Sequence, residues 1–147
     1  NYPLVPLEQL FLCFISFFFC ILFMQSGFDK VFNWTANLDF LKKHFNNTIF
    51  QNYMFIILIA LTFLECLTGL IFCVSLVSIC FLGFSSQIMA LLLLGIILSN
   101  FTICCLFLGQ RIAKDYEGAY VLVNYFIVNI IGLILLMKTP LQNSILL

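Results

Sequence analysis

The chain has 147 residues, of which 64% are hydrophobic and only 8% charged, and its formal net charge is zero. Soluble domains carry about a quarter charged residues, so six basic and six acidic side chains cannot cover a water-exposed surface of this size. The composition therefore excludes a soluble globular domain, and it leaves no basic patch large enough to bind nucleic acid. Lipid is the solvent that fits it.

Four apolar segments are predicted to cross the bilayer, which takes about 20 residues per helix. They are residues 9–28, 53–80, 88–108 and 119–137. The uncharged stretch from Cys66 to Gln110 is too long for one span, so the turn signal at 83–87 divides it. Backbone polar groups must be satisfied inside lipid, so each span is predicted to be a helix. The predicted fold is all-α: a single transmembrane domain over 1–147, built as an integral membrane four-helix antiparallel bundle.

Two charged connections, 29–52 and 109–118, lie on the same side of this bundle. They carry five of the six basic residues, namely Lys30, Lys42, Lys43, Arg111 and Lys114. The positive-inside rule places these loops on the cytoplasmic or matrix side, with both termini opposite. We expect a bacterial cytoplasmic membrane or a mitochondrial inner membrane.

Glu65 is the most informative single residue, because it is the one charge in an otherwise apolar span. An acidic side chain near the middle of a membrane helix costs about 2.5–3.5 kcal/mol on insertion scales, so such residues are candidates for function. One interpretation is a carboxyl group that handles protons or binds a ligand. The structural alternative is a carboxyl group that ties two helices together through a hydrogen bond.

Other polar side chains occupy the half of the spans that is nearest the charged loops. With Glu65, the residues Gln25, Asn100 and Asn124 form a candidate polar cleft. The alternative is that they are hydrogen-bonding contacts between helices, worth about 0.6 kcal/mol each. A second candidate site, an interfacial anchor for an anionic headgroup, an oxidised sulfur compound or a partner subunit, consists of Asp29, Lys30, Arg111, Lys114 and Asp115. Solvated ion pairs are the alternative there.

Five of the seven cysteines form two series with a spacing of seven residues: Cys13 and Cys20, and then Cys66, Cys73 and Cys80. Seven residues are about two helical turns, so each series lies on one face of its helix. Small residues on one face predict close helix packing, and a redox role is the alternative. There is no Cys-x-x-Cys pair, and the sole histidine, His44, lies in a polar loop. We therefore predict no metal site.

Two stretches together resemble the DoxX family of membrane proteins. The first is QSGFDKVF over 25–32, followed by Glu65 and Gly69, and the second is GQRIAKDYEGA over 109–119. The second is especially similar to Bacteroidetes-type members, and the likeness covers nearly the whole chain. It implies a four-helix membrane bundle. Its namesake relatives are subunits of a thiosulfate:quinone oxidoreductase, and relatives in the wider superfamily are cargo receptors or assembly factors.

Three functions remain open from the sequence. The first is a non-catalytic accessory subunit of a larger membrane complex, such as a respiratory complex, which predicts that Glu65 is packed and bonded with no cavity beside it. The second is a redox-linked subunit with a quinone-binding cleft, which predicts an elongated pocket beside Glu65. The third is a membrane receptor or assembly factor. No catalytic constellation is visible, so we expect no enzyme activity of the chain alone, no intrinsic cofactor beyond a bound quinone or lipid, and membrane lipid and other membrane subunits as partners.

Overall fold

The computed structural model describes residues 6–139, and that part of the chain is built from helices. Four long helices are α1 (Leu7–Phe32), α3 (Met54–Leu82), α4 (Ser86–Ile112) and α5 (Tyr116–Lys138), and a shorter helix α2 (Trp34–His44) follows α1. A single 3₁₀ turn (Gln51–Tyr53) precedes α3. The predicted all-α fold class is confirmed.

The four long helices have the length and composition of membrane spans. The shortest, α5, has 23 residues and is about 35 Å long at 1.5 Å per residue, which exceeds the ~30 Å hydrocarbon core of a bilayer. Phenylalanine, leucine, isoleucine and valine side chains dominate the outer faces of the bundle. The chain is an integral membrane protein.

Helices α4 and α5 begin before the predicted spans because side-chain capping groups, and not the start of the apolar run, set their first residues. The Ser85 hydroxyl accepts a hydrogen bond from the Ile88 N–H (3.3 Å), and this begins α4 two residues before the predicted start. The Asp115 carboxylate accepts one from the Gly118 N–H (2.9 Å) and begins α5 at Tyr116. Side-chain acceptors of this kind satisfy N–H groups that have no partner within the helix.

Consecutive long helices are neighbours in space, and α5 closes the ring by packing against α1. This is the up-and-down order that short connections favour. The core lies along the bundle axis, where Phe19 of α1 stacks on Phe72 of α3 with ring centroids 5.6 Å apart. The buried apolar side chains of the core are Leu12, Phe19, Phe23, Phe72, Met89, Leu92, Ile96, Ile103 and Leu136.

The connection over 29–52, predicted to be a charged loop, is instead largely helical. Helix α1 continues to Phe32, and α2 then occupies Trp34–His44. Trp34, Leu38 and Leu41 recur at helical spacing and are half-buried, while Lys42 and Lys43 are exposed. A short helix with one apolar face and one basic face is suited to lie along a membrane interface.

Gly83 makes the turn between α3 and α4 possible. Its φ of 73° and ψ of −171° lie in a region that side chains with a Cβ rarely adopt. No atom lies within 4 Å of the position of an added Cβ, so the penalty for a substitution is conformational and not steric.

We expect Gly83→Ala to lower the free energy of unfolding by about 1–2 kcal/mol. The measurement is reversible unfolding of the purified protein in mixed micelles with increasing dodecyl sulfate. Gly109→Ala is the matched control, because Gly109 lies within α4, where alanine is the better helix former, and its added Cβ would make only ordinary contact with the Phe45 ring at 3.4 Å. Equal effects of the two substitutions would contradict the turn argument.

Candidate functional site

A buried ion pair joins α1 to α3. Lys30 Nζ lies 2.7 Å from Glu65 Oε2, and the Ser26 hydroxyl donates to the same oxygen at 3.0 Å. Lys30 Nζ also lies 2.9 Å from Ser26 Oγ. Glu65 is 1% exposed, and the Lys30 side chain is 16% exposed. The three side chains therefore supply one another with the polar contacts that water would otherwise make.

The direction of helical side chains explains why this pair forms. Side chains lean toward the N-terminus of their own helix. Lys30 lies in the last turn of α1 and therefore leans into the membrane. Glu65 lies eleven residues after the start of α3 at Met54, about 16 Å along the helix, and leans back toward the same side. Because the two helices are antiparallel, the two side chains converge.

Two glycines bring the backbones of α1 and α3 close enough for this contact. A Cβ on Gly69 would lie 2.8 Å from the backbone N of Met24. A Cβ on Gly27 would lie 2.7 Å from Cys66 Sγ and 3.1 Å from the Cys66 backbone N. Small residues at such positions are the usual means of close helix approach in membranes. The ion pair is therefore held by a helix interface with little freedom to separate.

A cavity of ≈ 360 Å³ lies beside the ion pair, between α1, α4 and α5. Five of its lining residues carry polar side chains, namely Ser26, Lys30, Glu65, Gln110 and Tyr125. The remaining lining residues are Leu22, Phe23, Ile103, Leu106, Gly118, Val121 and Leu122. Val121 is 46% exposed, so the cavity reaches the outer surface of the bundle. It thus combines an ion pair, neutral hydrogen-bonding groups and an apolar wall within the membrane-spanning part of the chain.

A second polar cluster lies at the charged end of the bundle. His44 Nε2 lies 2.8 Å from Gln110 Oε1 and 3.6 Å from Asp115 Oδ2. A Cβ on Gly118 would lie 2.6 Å from Asp115 Oδ2 and 2.7 Å from Gln110 Nε2, so a larger residue there would displace the ends of these two side chains. Gln110 also lines the cavity beside Glu65, and the cluster therefore positions one of the polar groups of that cavity.

The predicted cleft residues occupy different environments. Glu65 lines the cavity, whereas the Gln25 and Asn124 side chains are exposed and do not line it. The Asn100 amide donates to the Ile96 carbonyl of its own helix at 3.1 Å. Within residues 6–139 its Oδ1 is buried and has no hydrogen-bond partner.

The five predicted anchor residues also make different contacts and do not form one cluster. Lys30 turns inward to Glu65, while the Asp29 carboxylate accepts hydrogen bonds from the amides of Asn33 and Asn37 at 2.8 and 3.1 Å. Arg111 lies over the Tyr116 ring, 4.6 Å from its centroid. The other two are Lys114, which is exposed, and Asp115, which caps α5.

Several residues of the cavity and its surroundings were missed by sequence reasoning. Ser26 lies one helical turn before Lys30, and this i,i+4 spacing was the available signal. Tyr125 and Gln110 carry no local pattern that distinguishes them from interfacial residues. Buried Asn129 of α5 donates to Ser99 of α4 at 2.5 Å, which ties these two helices together at a separate place.

Comparison of the chain with protein-family models, with curated proteins and with solved structures finds no match. The class of protein is thus defined by the fold and the site: an integral membrane four-helix bundle with a buried Lys–Glu pair beside an internal cavity.

Proposed function

We propose that this chain is a DoxX-like membrane subunit that binds a ligand of the quinone class in the cavity beside Lys30 and Glu65. The observation that carries the proposal is the position of a buried ion pair on the wall of a cavity that reaches the outer surface. Its volume of ≈ 360 Å³ falls within the range of small-molecule sites, which is about 300–1,000 Å³.

The chemistry of the lining suits a quinone headgroup. A quinone ring carries carbonyl acceptors, and the cavity offers donors on Lys30, Gln110 and Tyr125. The flat ring would pack against Phe23, and an apolar tail would leave past Val121 into lipid. In the described part of the chain both hydrogen-bonded or ionic contacts of Glu65 use Oε2, which leaves Oε1 to accept from a hydroquinone hydroxyl.

The alternative is a non-catalytic accessory subunit in which the ion pair only pins α1 to α3. The two contacts of Glu65 Oε2 within a nearly inaccessible site favour this role. A lipid acyl chain would then fill the cavity without specific recognition. The two functions differ in whether a polar headgroup is recognised.

We expect Val121→Trp to weaken quinone binding at least about tenfold, which corresponds to ~1.4 kcal/mol, because the indole ring would fill the cavity mouth. The measurement is equilibrium dialysis of a decyl-substituted benzoquinone against the protein in nanodiscs. Val74→Trp is the matched control: Val74 is likewise 46% exposed, but it lies on α3 and does not line the cavity.

Saturable binding that is lost in Val121→Trp and retained in Val74→Trp supports the binding function. Equal quinone retention by all three proteins and by empty nanodiscs contradicts it and favours the accessory role. A decylbenzene competitor distinguishes the two further, since it has the tail without the carbonyl groups. Displacement of the quinone by this compound at equal affinity would also contradict headgroup recognition.

A further inference from the structure

The two cysteine series face each other across the interface of α1 and α3. Gly27 lies opposite Cys66, and Met24 lies opposite Gly69. In an antiparallel pair, stepping seven residues back along α1 and seven forward along α3 reaches the next facing position. From Gly27 and Cys66 this step leads to Cys20 and Cys73, and a further step leads to Cys13 and Cys80.

The side chains follow this register. Cys73 is a neighbour of the Cys20 thiol, and Cys80 is a neighbour of the Cys13 thiol, as the register of the two helices requires. All of these cysteines are free. The sequence pattern predicted close packing, and the structure adds that the packed residues are thiol pairs.

The close packing of α1 and α3 around Gly27 and Gly69 favours a disulfide between facing cysteines. A disulfide requires Cα atoms about 4.4–6.8 Å apart. Because each Cα lies ~2.3 Å from its helix axis, facing Cα atoms of helices whose axes are about 8–10 Å apart come this near. Facing Cβ atoms that point toward each other across a close interface meet this requirement. Gly69 and Met24, one turn from Cys73 and Cys20, are in contact through the Met24 backbone, so α1 and α3 are close at this level.

We propose that Cys20 and Cys73 form a redox-active dithiol that a membrane-dissolved quinone oxidises to an interhelical disulfide. Each thiol gives up its hydrogen and the sulfur–sulfur bond forms. The two electrons and two protons convert the quinone to its hydroquinone. Cys20 lies about 20 Å from the N-terminal end of α1, near the bilayer centre, so the oxidant must be soluble in lipid.

This site is separate from the cavity of the proposed function. Neither Cys20 nor Cys73 lines that cavity, and the oxidant reaches the thiols from the bilayer. Both cysteines are half-buried, and Cys80 of the neighbouring pair is exposed, which leaves the interface open to lipid-dissolved reagents. The disulfide would fix the register of α1 and α3, and these are the two helices that hold Lys30 and Glu65.

The test uses the reduced protein in nanodiscs without oxygen, to which a decyl-substituted benzoquinone is added. We expect one hydroquinone to form for each disulfide, with a corresponding loss of two alkylatable thiols from the seven in the chain. Mass spectrometry of proteolytic peptides should identify the Cys20–Cys73 link. Cys73→Ser should remove that link, and Cys20→Ala should do the same if the first variant does not fold.

Cys66→Ser is the matched control, because Cys66 belongs to the same series but faces Gly27. It should retain the Cys20–Cys73 link in full. The proposal is overturned if all seven thiols remain alkylatable after quinone is added, or if links form at random among the cysteines. It is also overturned if Cys66→Ser abolishes the link while helix content is unchanged.

Discussion

Lys30→Met is expected to lower the free energy of unfolding by about 3–5 kcal/mol, because it leaves the buried Glu65 carboxylate without its charged partner. Glu65 is 1% exposed, so water cannot replace the ammonium group that lies 2.7 Å away. In the variant, the Ser26 hydroxyl still donates a hydrogen bond to Glu65, but this neutral group does not balance the charge of the carboxylate. The measurement is reversible unfolding in mixed micelles with increasing dodecyl sulfate.

The double variant Lys30→Met with Glu65→Leu tests whether the loss of stability arises from breaking the ion pair or from the loss of the Lys30 side chain itself. Replacing both members of a buried ion pair by apolar groups is often neutral or stabilising, so we expect most of the lost stability to return. Lys42→Met, at an exposed position of α2, controls for the loss of a lysine and should have little effect. If the double variant were as unstable as the sum of the single variants, the two side chains would not be coupled.

Gly69→Val is expected to cost about 3 kcal/mol, at the upper end of the usual penalty for overpacking. The added Cβ would lie 2.8 Å from the Met24 backbone N and 2.9 Å from its Cγ and Sδ atoms. The Met24 side chain can move, whereas its backbone cannot move without shifting α1. Separation of the helices would also lengthen the contact between Lys30 and Glu65.

Leu70→Val provides the control for this substitution, because it places the same side chain on the adjacent, 52% exposed position of α3. The same unfolding measurement should show a change of less than about 0.5 kcal/mol. If both variants unfolded at the same dodecyl sulfate concentration, close contact at Gly69 would not be important for stability. A larger loss of stability in Leu70→Val than in Gly69→Val would mean that the Leu70 side chain packs against another molecule on the outer face of α3.

Glu65 and Lys30 illustrate how much of the site was accessible from the sequence. Glu65 could be identified because a single charge in an apolar span is conspicuous at any rotation of the helix. Its partnership with Lys30 could not, because that depends on which helices are neighbours and on the direction in which each side chain leans. Lys30 was instead assigned to an interfacial anchor together with Asp29, the adjacent residue that faces Asn33 and Asn37.

The prediction of the cleft residues was wrong by one position in α1 for the same reason, since the sequence does not show how the helix is rotated. Gln25 and Ser26 are adjacent, and a step of one residue turns a helix by about 100°. Ser26 therefore points to Glu65, whereas Gln25 is exposed. Helix α2 was missed for a different reason: its charged residues suggested a loop, although Trp34, Leu38 and Leu41 already carried helical spacing.

The sequence by itself determined that lipid surrounds the chain, and it determined the number of long helices and their up-and-down order. Composition and the length of the apolar runs are sufficient for this, because lipid leaves a spanning chain no other way to satisfy its backbone. The tertiary structure decided the rotation and register of each helix, and with them the pairs Lys30–Glu65 and Cys20–Cys73 and the cavity beside Glu65. In a soluble helix, a polar stripe would reveal the outward face. Here both the core and the lipid are apolar, so the sequence has no such stripe, and close packing at glycines and a few polar contacts orient the helices instead.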